Sequence, residues 1–262
     1  MVDNRIITLL TDFGDRDVYV GVMKGAIAQI NPQLKTIDLT HQIPPQNLIA
    51  ARFALLNAYP YFPQDTVHVA VVDPGVGSSR RGIAVKLDNG YVVCPDNGLC
   101  SGVLERAIAA VELTNAQYWR VPNPSYTFHG RDIFAPVGAH LASGVTLEKL
   151  GRAIELESLV TLNLPAIKIN PPQITGCIQY IDRFGNLITN IPGSSLKENS
   201  WQIIADKIVI NSAKSYSDVP QGKAVTLIGS HGWVEIAVNC GDAAEKLKLS
   251  QQDIVRLTLN TE

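Results

Sequence analysis

Thr66-Val67-His68-Val69-Ala70-Val71-Val72-Asp73-Pro74-Gly75-Val76-Gly77-Ser78-Ser79-Arg80-Arg81 reads as an apolar strand that ends in a carboxylate, then a Pro/Gly turn, then a guanidinium. A strand over residues 66–72 delivers Asp73 to the end of a sheet, and in open α/β sheets that edge is where ligands bind. Gly75 and Gly77 let the backbone turn tightly and approach a ligand closely, while Arg80 can fold back onto Asp73. Taken alone, the segment reads equally as an ordinary turn carrying a surface Asp/Arg pair.

The pattern recurs on both sides of this stretch. Residues 7–19 form another apolar run ending in acids, here Asp12, Asp15 and Asp17, followed by a helix-like segment up to Ile30. From residue 5 to about 150, strand-like runs at 5–10, 35–39, 66–72, 82–87, 91–94 and 109–113 alternate with helix-like segments at 19–30, 46–59, 97–107 and 133–142. This alternation predicts a mainly parallel sheet with helices on its faces, and Asp88-Asn89-Gly90 marks a tight hairpin within it. Beyond Gly151 the chain is poor in helix signals. Short strand-like runs follow at 175–181, 187–191, 202–210, 223–228, 233–238 and 253–259, a spacing that suggests a small barrel or sandwich. The polar stretch 211–221 reads as an exposed loop. The expectation is an α/β protein. Residues 1–165 make an N-terminal mainly parallel α/β sandwich domain, and residues 172–262 a smaller C-terminal antiparallel β-barrel-like domain.

With 262 residues, 46% of them hydrophobic, the chain can bury one large core or two modest ones. The net charge of −2 and the lack of any basic cluster argue against a nucleic-acid partner and for a small molecule. Cys94, Cys100, Cys177 and Cys240 are scattered without a C-x-x-C pair, so buried free thiols are expected rather than zinc ligands. No run approaches the roughly 20 apolar residues that span a bilayer, and the start of the chain lacks the order of a signal peptide. Together with the cysteine pattern this leads to an expected cytoplasmic location, with no membrane partner.

Six segments in order, LTDFGDRDVYVGVMKG (10–25), VVDPGVGSSRRG (71–82), PDNGL (95–99), TFHGRDIFAP (127–136), IDRFGNLITNI (181–191) and GSHGWVEIAVNCG (229–241), resemble the S-adenosyl-L-methionine (SAM) hydroxide adenosyltransferase family. These SAM hydrolases are relatives of the fluorinating and chlorinating SAM enzymes, and the resemblance runs almost end to end. It implies hydrolysis of SAM to adenosine and L-methionine, with SAM as substrate and neither cofactor nor metal. It also implies a homotrimer with each site between the N-terminal domain of one subunit and the C-terminal domain of its neighbour.

SAM carries a sulfonium that makes methionine a good leaving group from the ribose 5′-carbon, so the demanding task is to activate and orient water. The resemblance gives that task to Asp73, Arg80 and His129. Asp73 can accept a hydrogen bond from water, Arg80 can hold that carboxylate, and His129 can exchange a proton near neutral pH. On spacing alone, His129 reads rather as a core histidine capping a helix start beside Gly130, and it is the resemblance that reverses this. Arg81 competes with Arg80, which the resemblance prefers because it lies seven residues past Asp73, as in the family's pattern; one of the two is expected at the surface. For the substrate, the resemblance points to Asp12 on the ribose diol and Asp17 facing the methionine ammonium. Phe184 and Asn186 would pack on adenine and read its polar edge, although Phe-Gly-Asn is also a good hairpin turn. Ser230 resembles the group that binds the methionine carboxylate, and Glu235 with the backbone at Asn239 and Cys240 completes the set. His41, His68 and His140 are expected to be structural. Halide transfer is the competing chemistry, and Asp73 argues against it because a carboxylate repels an incoming halide. A binding-only module would have no need of a base beside the leaving-group carbon.

Overall fold

The apolar runs at 6–11 and 66–71 are buried at nearly every position, as expected of central strands covered on both faces. The computed structural model describes residues 6–196, 200–205 and 208–260. The chain divides into two units, Met1–Leu162 and Asn163–Glu262.

The first unit contains β1 (Ile6–Thr11), α1 (Tyr19–Ile30), β2 (Lys35–Thr40), α2 (Leu48–Ala58), β3 (Thr66–Val71), β4 (Gly82–Leu87), β5 (Gly90–Pro95), β6 (Ala107–Glu112), α3 (Ala135–Ala142) and β7 (Arg152–Ile154). Its sheet has the order β2-β1-β3-β5-β4-β6-β7. β2, β1, β3 and β5 are parallel, whereas β4 is antiparallel to both β5 and β6, and β7 to β6. β6 therefore runs in the sense of the parallel four, and only β4 and β7 run against them. Met23 and Ile27 of α1 and Val137 and Leu141 of α3 share one core with Ile7, Leu9, Val67 and Val69. The C-terminal ends of β1 and β3, adjacent and parallel, bring Asp12 and Asp73 to one edge of the sheet.

The second unit contains β8 (Lys168–Asn170), β9 (Gln173–Ile181), β10 (Leu187–Pro192), β11 (Trp201–Ala205), β12 (Ile208–Asn211), β13 (Ala224–Ile228), β14 (Trp233–Val238), α4 (Ala243–Leu247) and β15 (Ile254–Leu259). Its antiparallel strands follow the order β12-β11-β15-β9-β10-β14-β13, with β8 also on β9. The two ends approach each other through the Ser212–Thr226 bridge and the Ala213 N–H to Thr226 carbonyl bond of 2.9 Å, nearly closing a barrel. Ile178, Leu187, Ile203, Ile236 and Leu257 fill its core.

Several local expectations change. The segment 97–107 is not one helix but two 3-10 turns, Leu99–Gly102 and Leu104–Arg106. Gly98 enters at a φ of 91° and Val103 departs from helical geometry at −113°, which breaks the α-helical ladder. α2 begins at Leu48 rather than 46, with Asn47 accepting the Ala50 N–H at 2.9 Å. The helix expected over 133–142 starts earlier, as a π-turn over Gly130–Phe134 that leads into α3. The strand expected over 202–210 is the hairpin of β11 and β12, with residues 206 and 207, like Arg5 of the first strand, outside the described residues. Cys240 is exposed, not buried, because it occupies a turn at a φ of 54°.

Candidate active site

The turn after β3 closes through the Val76 N–H to Asp73 carbonyl bond (3.2 Å) and the Ser78 N–H to Gly75 carbonyl bond (3.1 Å). Gly77 has a φ of 79°, and a Cβ there would lie 2.4 Å from the Tyr126 carbonyl oxygen, so the turn packs against the segment before His129. The Asn97 amide donates to the Val72 carbonyl at 2.9 Å and fixes the strand end from the PDNGL segment. The chain then returns Arg80 onto Asp73. The Arg80 Nε lies 3.0 Å from both Asp73 carboxylate oxygens, and its Nη2 bonds to Oδ2 as well. Nη2 also lies 2.7 Å from the His129 Nδ1, and the guanidinium sits 5.2 Å from the centre of the Phe134 ring. A guanidinium only donates, so Nδ1 accepts and the neutral imidazole carries its proton on Nε2. Burial and the Arg80 charge hold the His129 pKa below its ordinary 6.5, with Asp73 and Asp132 opposing them.

A cleft of about 390 Å³ opens at this edge, and Asp12, Asp73 and His129 all line it. Arg80 is not among its lining residues; it stands behind Asp73 and His129 and orients both. Phe13, Tyr19 and Phe128 form an aromatic wall with ring centres 5.3 to 5.9 Å apart. Asp12 accepts the backbone N–H of Gln46 at 2.8 Å, which explains why α2 starts late: Gln46 has a φ of 63° and lines the cleft. His41 braces the Asp12 loop through Thr11 Oγ1 and the Gly14 N–H, each at 2.8 Å. Asp15 and Asp17 are exposed, and Asp17 is not among the residues lining the cleft. Arg81 does not line the cleft, nor is it loose at the surface. Its Nε donates to the buried Asp96 at 2.8 Å and its Nη2 to the Ser158 carbonyl at 2.6 Å.

In the second unit, Phe184, Asn186, Ser230, Glu235, Asn239 and Cys240 line one pocket of about 660 Å³. Asp182 organises its turn, accepting the Phe184 and Asn186 N–H groups at 2.8 and 2.9 Å and the Asn186 side-chain amide at 2.9 Å. This leaves the Asn186 side-chain amide oxygen as an acceptor, its backbone carbonyl being taken by the Asp182 N–H at 3.1 Å, and Phe184 75% exposed as an open aromatic face. Glu235 is buried, yet both its oxygens are engaged, by the Tyr216 hydroxyl at 2.8 Å and the His231 Nε2 at 3.1 Å. The Trp233 N–H donates to His231 Nδ1 at 3.1 Å, so Nε2 carries the proton and donates to Glu235. Burial and the bond to Glu235 push the Tyr216 phenol up to about 12.

Tyr216 lies in the polar stretch 211–221, and nothing in its local sequence pointed to the pocket. Phe13, Tyr19 and Phe128 had a usable signal in their place beside the acids and His129. Among the described residues, no three His, Cys, Asp or Glu side chains gather as a metal site, and no helix is long and apolar enough to cross a membrane.

Residues 7–151 match the SAM hydroxide adenosyltransferase N-terminal domain, and residues 176–256 match the C-terminal domain of the same family. The chain is 39% identical to an (R)-S-adenosyl-L-methionine hydrolase of Salinispora arenicola over 98% of this chain and 99% of that protein. It is 38% identical to the enzyme of that name from Thermus thermophilus, over 97% of this chain and 99% of the relative. The crystal structure of an uncharacterized conserved protein from Thermotoga maritima superposes with a TM-score of 0.90 at 37% identity, covering 96% of this chain and 99% of that one. With both of its units matched and relatives aligned along nearly their whole length, this chain belongs to the SAM hydroxide adenosyltransferase family.

Proposed function

We propose that the protein hydrolyses SAM to adenosine and L-methionine. Water attacks the ribose 5′-carbon, the carbon–sulfur bond breaks, and its electron pair neutralises the sulfonium to leave the thioether of methionine. The water proton passes to Asp73, which holds the attacking oxygen on the side opposite the sulfur. His129 donates its Nε2–H to orient that oxygen, and Arg80 aligns both groups. Asp12 binds the ribose hydroxyls. Phe184 and Asn186 take the adenine, and Ser230 takes the methionine carboxylate. The observation that carries this reading is the Asp73–Arg80–His129 arrangement at the cleft of a chain related along its length to SAM hydrolases. Turnover in heavy-oxygen water tests it. Label is expected in the adenosine 5′-hydroxyl, and its absence would exclude displacement by water at that carbon.

The Asp12/Asp73 cleft and the Asn186 pocket act as halves of one site, completed across the interfaces of a homotrimer. Support comes from the outer face of α1 and the residue before it, where Val18 is 73% exposed and where, among the described residues, a Cβ on Gly21 or Gly25 would meet nothing within 4 Å. Glycine inside a helix costs about 1 kcal/mol relative to alanine, and no contact among the described residues accounts for it here. Mixed trimers of Asp73→Asn and Asn186→Ala chains should regain activity that neither variant has alone. Full activity in a sedimenting monomer would rule the shared site out.

A further inference from the structure

Asp132 lies three residues past His129, is 1% exposed, and lines neither cleft nor pocket, yet it gathers more donors than any other carboxylate near the site. Arg131 grips it as a fork, with Nε on Oδ1 at 2.7 Å and Nη2 on Oδ2 at 2.8 Å. Arg120 Nε adds a bond to Oδ1 at 2.6 Å, and the Ser125 N–H one to Oδ2 at 2.9 Å. The backbone joins in, with the Arg120 N–H on the Asp132 carbonyl at 2.9 Å and the Asp132 N–H on the Phe128 carbonyl at 3.2 Å. All these partners belong to the segment 120–131, which carries His129 and packs under Gly77. Arg131 in turn lies 5.1 Å from the centre of the Phe128 ring, part of the aromatic wall. One buried carboxylate thus ties down the segment that carries both His129 and the Phe128 part of the wall.

We infer that Asp132 is a positioning residue for the hydrolysis, fixing His129 from its own turn and Phe128 through Arg131; this rests on the hydrolase reading. The charges facing His129 are Arg80 and Asp73 from the turn after β3 and Asp132 from the π-turn. Asp132 opposes Arg80, keeping the imidazole from being driven further from protonation. An anchor whose charge did not face His129 would leave that balance unchanged.

Asp132→Asn keeps the size but leaves one acceptor oxygen for two guanidinium groups and sets an amide N–H₂ among donors. In the folded variant, kcat should fall on the order of tenfold to a hundredfold, as small misplacements of reacting groups do. The NMR titration midpoint of His129 should move to lower pH. An unshifted midpoint, or a kcat within twofold of wild type, overturns the inference. The titration needs no turnover, so it still decides the matter if wild type releases no adenosine, a result that would defeat the hydrolase reading instead. Should Asp132→Asn fail to fold, Arg131→Gln carries the test. It leaves the carboxylate with Arg120 and Ser125, loses the cation on Phe128, and should raise the KM for SAM several-fold. Unchanged kcat and KM in that variant would also overturn the inference.

Discussion

Arg80→Lys isolates what the guanidinium contributes beyond its charge. In the wild-type site one planar group reaches Asp73 from Nε at 3.0 Å and His129 Nδ1 from Nη2 at 2.7 Å. An ammonium is a point charge that can stay on Asp73 but cannot span both acceptors. The Asp73 side chain, 5% exposed, therefore keeps a cation and is not stranded, which Arg80→Met would do at a cost of about 3–5 kcal/mol in stability. What is lost is the second arm of the fork and the bond to Nδ1. A hydrogen bond involving a charged group contributes about 1.5–3 kcal/mol, and each 1.36 kcal/mol is tenfold in rate, so kcat should fall on the order of 10²-fold. KM should change by less than about threefold, since Arg80 does not line the cleft and the loss falls on the transition state. Nitrogen NMR of the imidazole should also reveal a mixture of tautomers, because nothing then requires Nδ1 to accept. A kcat within about threefold of wild type, with His129 still held as the Nε2–H tautomer, would refute this account of Arg80.

Asp73→Asn preserves size and removes the proposed base, so adenosine formation should drop at least about 10²-fold while SAM affinity measured by calorimetry stays near wild type; near-normal turnover would remove Asp73 from the mechanism. Since the His129 pKa lies below 6.5 and its neutral form is the one that accepts from Arg80, the acid limb of the kcat profile should fall below pH 6.5, and a limb above that value would contradict the geometry. Buried His68, bonded to Thr8 at 2.8 Å and pushed down to about 4, resists a proton that the unfolded chain takes up near 6.5. Stability against urea should therefore decline as pH falls from 6.5 towards 4, and His68→Gln should lessen that slope. Gly77→Ala forces a side chain onto the Tyr126 carbonyl at a φ of 79°, and should cost roughly 1–3 kcal/mol in chemical denaturation; an unchanged midpoint would mean that the turn does not pack there.

Periodicity and punctuation were enough to read the main strands of both units, the hairpin at Asp88-Asn89-Gly90 and the arrival of Asp12 and Asp73 at strand ends, because burial on two faces leaves an unbroken apolar run. The same local logic failed at 97–107, where composition suits a helix but a left-handed Gly98 does not allow one to start. It failed again at Gln46, whose N–H is used by Asp12 from 34 residues away. The site divides along the same line. Asp73, Arg80 and His129 were legible as residues of the right chemistry, and the family's spacing preferred Arg80 to Arg81, but the physical reason lies in three dimensions, where the neighbouring side chains find different acids, Asp73 and Asp96. Tyr216 on Glu235 and Asp132 beneath His129 left no pattern in the chain, since their partners lie in other segments or depend on a π-turn. The sequence by itself determined the main strands and which acids stand at their ends, because those follow from contacts between near neighbours. Only the tertiary structure decided which nitrogen of His129 accepts, which acid Arg81 takes instead of Asp73 and which acid is left exposed, because each is the outcome of competition among groups that folding alone brings within hydrogen-bonding distance.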